Sequence, residues 1–169
     1  MLKMDMALDN HYMQKLEQKL EKTGFIRVDS DTLDKLIDKD EKRESVLNEK
    51  QQEKIKTVFT EQIIDTGASV QLEALSPEDQ PVIITKPEFM RRMREMSAMN
   101  GMDMSAMPDS YNVVVNTNHP LVAERLLKAK KKQGELAKHL YNLALLNQGM
   151  LRGAELSGFI SKSIEYLTK

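Results

Sequence analysis

A change of hydrophobic period near Gly67 constrains this chain more than any other feature. Ile55, Val58, Phe59, Gln62 and Ile63 fall at i, i+3, i+4, i+7 and i+8, the spacing that gathers side chains on one face of an α-helix. Thr66-Gly67 supplies a stop, so the spacing predicts a helix from about Ser45 to Asp65. Directly afterwards the period falls to two. Val70, Leu72 and Ala74 point one way while Gln71 and Glu73 point the other, as in a half-covered strand. Ser76-Pro-Glu-Asp-Gln-Pro81 turns the chain and Val82–Thr85 returns, which predicts a hairpin, with a third strand available at Tyr111–Asn116. The resulting expectation is an α+β fold built on a small three-stranded sheet with flanking helices.

The first segment needs a partner. Leu8, Tyr12, Leu16 and Leu20, spaced by four, predict an apolar helical stripe closed by Thr23-Gly24, and Phe25-Ile-Arg-Val28 predicts a short strand. One helix and one strand cannot bury their own apolar faces. From Asp29 to Lys56 the chain carries 16 charged residues in 28, which reads as a solvated linker running into the exposed face of a helix.

Seven of the twelve methionines fall between Met90 and Met107. Thr85-Lys-Pro-Glu88 is a capping box, so a helix is expected from about Lys86 to Asn100-Gly101. On it Phe89, Met93 and Met96 form one line, with Met90 and Met99 on its shoulders and Arg91, Arg92, Arg94 and Glu95 on the polar side. Met102, Met104 and Met107 follow in a loop rich in Gly, Asp, Ser and Pro. Methionine is flexible and polarizable, so such a surface can mould itself to many apolar shapes. A stripe at helical spacing also suits an ordinary core, with each buried side chain contributing roughly 1.5–3 kcal/mol. A third reading is copper(I) binding, since Met-x-x-Met repeats could present thioethers to a soft metal, although a cytosolic copper site usually includes thiolate. The chain has no cysteine.

The C-terminal third speaks for self-association. Asn118-His-Pro120 opens a helix with Leu121, Val122, Leu126 and Leu127, ending in Lys128-Ala-Lys-Lys-Lys132, where cations would offset the helix dipole. The next helix, about Gly134 to Gln148, is apolar on two sides: Leu136, Leu140 and Leu143 make one line, Ala137, Tyr141, Ala144 and Leu145 another. Gly149 and Gly153 frame a bend, and Leu156, Ile160, Ile164 and Leu167 stripe a last helix. Such a helical hairpin has apolar surface to spare, and it pairs most simply with its own copy about a two-fold axis, giving an intermolecular four-helix bundle.

Function classes narrow accordingly. His11, His119 and His139 are scattered without metal spacing, and no phosphate-binding loop, dinucleotide fingerprint or nucleophile elbow is present. The chain is therefore not expected to be an enzyme or to hold a cofactor or metal. A net charge of −1 gives no general attraction to nucleic acid or to an acidic membrane. With no apolar run near the roughly 18 residues that span a bilayer, and no leader pattern, a cytoplasmic protein is expected.

Four stretches together resemble one family. Phe25-Ile-Arg-Val-Asp-Ser-Asp31, Lys86-Pro-Glu-Phe-Met-Arg-Arg-Met93, Val113-Val-Val-Asn-Thr-Asn-His-Pro-Leu-Val122 and Leu143-Ala-Leu-Leu-Asn-Gln-Gly-Met-Leu-Arg-Gly-Ala-Glu-Leu156 are similar to the C-terminal part of bacterial heat-shock protein 90 chaperones. The resemblance implies that residues 1–29 are the tail of a middle domain, 30–44 a charged linker and 45–169 a dimerisation and client-contact domain. It implies an ATP-driven chaperone in which ATP and magnesium are bound elsewhere in the full protein, so this fragment holds neither. Its implied partners are a second copy of itself and unfolded or partly folded clients, not nucleic acid or membrane. Client contact would rest on Phe89, Met90, Met93, Met96 and Met99, with Ser97 where relatives can carry an aromatic. The implied dimer interface is Leu140, Leu143, Ala144, Leu146, Met150, Leu156, Ile160, Ile164 and Leu167. Recruitment of helical-repeat co-chaperones through an acidic tail, as in eukaryotic cytosolic members, is not expected of Ile164-Glu-Tyr-Leu-Thr-Lys169.

Overall fold

Asn48 starts the helix that packs on the sheet. In the computed structural model, which describes residues 7–25, 43–63, 67–87, 89–90, 92–93, 97 and 110–168, the Asn48 side chain accepts from the Gln51 amide at 2.9 Å. Gln51 Oε1 accepts from the Asn48 amide at 3.0 Å in return. This reciprocal box satisfies amides that no helical carbonyl can reach, which is why the helix begins at Glu49 and not at Ser45. It is the second helix (α2, Glu49–Gln62) after α1 (Ala7–Lys19). Ile55 and Phe59 are fully buried, with Val58 and Ile63 packed beside them, as the helical spacing predicts.

The three strands form one sheet, but not in the expected order. β1 (Ala68–Glu73), β2 (Val82–Thr85) and β3 (Tyr111–Asn116) are arranged β1-β3-β2. The predicted β1–β2 hairpin is not made. β3 lies between them, parallel to β1 with Val113 opposite Val70, and antiparallel to β2 with Val113 opposite Ile84. Burial explains the order. Val113, Val114 and Val115 are all buried, so β3 is covered on both faces and belongs in the centre, whereas β1 is at most half-buried and suits an edge. Ala74, assigned to the first strand from its alternation, lies just beyond it.

The chain leaves β3 through a polar knot. Buried Asn116 donates to the Ser76 carbonyl at 2.7 Å and accepts from the Asn118 amide at 3.0 Å. The Thr117 amide and hydroxyl both donate to the Glu73 carbonyl. Leu121–Leu126 then winds as a π-helix, wider than the ordinary helix expected, with Val122 and Leu126 fully buried. A 3-10 turn at Lys130–Lys132 leads into α3 (Gln133–Asn147). The buried Gln133 side chain donates to the carbonyls of Leu126 and Leu127, at 2.9 and 3.2 Å, across this junction. Lys130, Lys131 and Lys132 form the last basic turn before α3, between the C-terminal end of the preceding helical stretch, which favours cations, and the N-terminus of α3, which does not. Lys128, in the preceding helical stretch, pairs with Glu124 at 3.5 Å.

α4 (Gly153–Leu167) closes the fold. At the other end α1 stops at Lys19, ahead of Thr23-Gly24, and Lys22 in the turn that follows has a left-handed φ of 60°. Tyr12 and Leu20 on its stripe are exposed. The expected strand residues 26–28, linker residues 30–42, and Glu88 of the expected capping box lie outside the described residues.

Candidate docking surfaces

Two apolar surfaces carry the candidate residues, and the first is the α3–α4 hairpin. The bend between these helices is a Schellman motif: the Met150 amide donates to the Leu145 carbonyl and the Gly149 amide to the Leu146 carbonyl, both at 2.9 Å. The motif needs a left-handed residue at Gly149, whose φ is 64°. Arg152 Nε fastens the same bend by donating to the Gly149 carbonyl at 3.1 Å. Further along, the His139 ring stacks on Phe159 at 4.7 Å and meets the edge of Tyr166 at 5.0 Å, and Lys162 pairs with Glu135 at 3.8 Å. These contacts hold α3 and α4 antiparallel.

The pinned hairpin separates the residues expected at an interface into three groups. Leu140 and Ala144 are 3% and 4% exposed and belong to the core of the single chain. Met150 and Leu156 are half-buried against that core. Leu143 and Leu146 on α3, and Ile160, Ile164 and Leu167 on α4, face outward, from 38% exposed at Leu146 to 87% at Leu167. The two apolar lines of α3 therefore divide differently from the sequence reading: Leu140 joins Ala137, Tyr141, Ala144 and Leu145 inside, and Leu143 remains outside.

The second surface is the start of the methionine segment. Phe89–Met90, Arg92–Met93 and Ser97 are helical. Phe89 is 73% exposed, while Met90 and Met93 are half-buried. Met96, Met99 and the loop methionines Met102, Met104 and Met107 lie outside the described residues. Sequence reasoning placed Arg92 on a solvated polar side. Instead its guanidinium donates to both Glu17 oxygens, at 3.1 Å each, and to the Phe25 carbonyl at 2.9 Å. No local pattern signals a partner 75 residues away.

Among the described residues no group of three or more His, Asp or Glu is placed to hold a metal ion. His119 is a structural acceptor, taking the Leu121 amide on Nδ1 at 3.1 Å. Its pKa is lowered by burial, with Glu78 acting against the shift. The pKa of His139 is lowered by burial and by the nearby Lys162 charge.

No family model matches the chain. Curated relatives do. The chain is 42% identical to chaperone protein HtpG of Porphyromonas gingivalis over 137 residues, which is 78% of this chain and 20% of that protein. It is 42% identical over 136 residues to HtpG of Bacteroides fragilis, with the same shares of each chain. With HtpG of Bacteroides thetaiotaomicron the identity is 42% over 130 residues, 74% of this chain and 19% of the relative. The matched region is HtpG-family sequence. The resemblance to heat-shock protein 90 chaperones thus holds over most of the chain, which spans about a fifth of the length of the HtpG proteins it matches. In this HtpG-family segment the outward apolar residues lie on helices already fixed by their own inner faces. No helix among the described residues is long and apolar enough to cross a membrane.

Proposed function

We propose that this chain is the C-terminal dimerisation and client-contact module of an ATP-driven HtpG chaperone that assists folding in the cytoplasm. Residues 45–169 form the module, 30–44 link it to the rest, and 1–29 are the tail of the middle domain. ATP and magnesium are bound and used by other parts of the full-length protein, and this part needs no cofactor. Its partners are a second copy of itself and unfolded or partly folded proteins.

The observation that carries the reading is the outward stripe of Leu143, Leu146, Ile160, Ile164 and Leu167 on a hairpin whose inner face is already packed. Full burial of such a side chain contributes roughly 1.5–3 kcal/mol. Ten of them across a two-fold axis, half-covered in the free chain, contribute about 8–15 kcal/mol, the same size as an association cost of about 4–15 kcal/mol. A dimer joins two arms of the chaperone into a clamp by raising the effective concentration of one near the other. Sedimentation equilibrium tests this directly: the wild-type chain should be a dimer and Leu143→Asp with Ile160→Asp a folded monomer. A wild-type monomer at micromolar concentration overturns it.

Client contact rests on Phe89, Met90 and Met93, continued by Met96 and Met99. An aromatic ring left 73% in water beside adaptable methionines supports an apolar docking face over a purely structural methionine core. Phe89→Ser should weaken suppression of aggregation of an unfolded protein without changing the dimer. The copper(I) alternative finds no support in the HtpG relatives.

A further inference from the structure

Arg92, Glu17 and Phe25 close a ring of hydrogen bonds. Two guanidinium nitrogens meet the two Glu17 oxygens at 3.1 Å each, Nη2 also donates to the Phe25 carbonyl at 2.9 Å, and the Phe25 amide donates to Glu17 Oε1 at 2.7 Å. The planar fork matches a carboxylate in both direction and spacing, so it fixes orientation as well as distance. The pair is partly withdrawn from water, the side chains of Arg92 and Glu17 being 34% and 21% exposed, and solvent screens it less than a fully exposed pair. The ring joins α1, the turn after it, and the helical stretch that carries Phe89, Met90 and Met93.

Geometry makes Arg92 more than a tether. On a helix, residue 92 lies beside residue 89 one turn on, and about 100° round from residue 93. Holding its guanidinium in one direction therefore sets the rotation of the helix about its own axis, and with it where Phe89 and Met93 point. We infer that Arg92 is a positioning residue: its clamp on Glu17 and Phe25 sets the presentation of the methionine helix and makes that apolar face move with the α1 unit. The functional consequence rests on the client-contact reading above, but the placement itself can be tested with no client present.

The test is peroxide oxidation of the whole chain, followed by mass spectrometry of the peptides holding Met90, Met93 and Met150. Arg92→Ala and Glu17→Gln should each speed oxidation of Met90 and Met93 by about ten-fold, as loss of an ordered contact frees a local segment. The double variant should go no faster than Arg92→Ala alone, because that substitution already removes the guanidinium that Glu17 holds. Met150, half-buried against the core on the α3–α4 bend, should keep its rate and so report that the rest of the domain is folded. The inference is overturned if Met90 and Met93 keep their wild-type rates in the single variants while Met150 is unchanged, or if the two effects multiply in the double variant. Because no client is in the tube, that result leaves the client-contact reading to be decided by Phe89→Ser alone.

Discussion

The phenol oxygens of Tyr111 and Tyr141 lie 2.5 Å apart inside the core, joining the first residue of the central strand to the buried face of α3. A hydroxyl pair so short and so well excluded from water ties sheet to helix in one register. Tyr141→Phe removes one partner and leaves the Tyr111 hydroxyl without this bond, which should cost about 1–2 kcal/mol. Urea denaturation should show that loss. The Tyr111→Phe, Tyr141→Phe double variant should lose less than the sum of the single losses, since no hydroxyl is then left behind.

Asn118 anchors the entry of the chain into the domain. Its Oδ1 accepts from the Val46 amide at 2.9 Å, and its Nδ2 donates to the carbonyls of Glu44 and Leu75, at 3.1 and 3.2 Å. Asn118→Ala should destabilise by about 1–3 kcal/mol and speed hydrogen exchange at Val46. Asn118→Asp keeps the acceptor and loses both donated bonds. It should protect the Val46 amide and still lower stability.

Stability of the hairpin should fall in mild acid. The His139 pKa is lowered in the fold, so between that value and 6.5 the unfolded chain binds a proton that the folded chain does not. His139 therefore contributes stability that is fully present above about pH 6.5 and lost as the pH falls through the folded value. Thermal melts at pH 7.5 and 5.5 should separate in that sense. His139→Phe, which keeps an aromatic ring against Phe159 and Tyr166, should narrow the gap. His119 shifts in the same direction and should leave a residual slope.

The inner and outer faces of α3 should behave as different materials. Leu140→Ala opens a cavity in the packed core and should cost about 2–5 kcal/mol of protomer stability. Leu143→Ala, three residues on, should change protomer stability by less than about 1 kcal/mol while weakening the dimer. Chemical melts and sedimentation on the same two proteins separate the effects.

Gly149→Ala isolates a backbone effect. A β-carbon there meets nothing within 4 Å, so crowding is not the issue. The left-handed φ of 64° is, and the substitution should cost about 1–2 kcal/mol by melting, with no change in the dimer interface residues.

Much of this was legible in local patterns. The period-3.6 run from Ile55 is a helix as far as Gln62, buried at Ile55 and Phe59, and Val82–Thr85 and Tyr111–Asn116 are strands with the expected bounds. The α3–α4 bend lies where Gly149 and Gly153 predicted it, because only a left-handed residue ends a helix in this way. The strand order was not legible. Alternation says which residues share a face but not which strand lies alongside, and short connections favour the hairpin that the buried valines of β3 overrule.

What the sequence by itself determined is therefore local and familial: the elements, their apolar faces, the turn chemistry and the likeness to HtpG. Each depends on spacings of a few residues or on the order of motifs, and both survive in a linear string. Only the tertiary structure decided that β3 is central, that Leu140 turns inward while Leu143 stays out, and that Arg92 finds Glu17 across 75 residues. Those outcomes depend on which distant surfaces exclude water together. Hydrophobic burial has no direction of its own, so the partner of an apolar face or a charged fork is chosen by the packing of the whole chain.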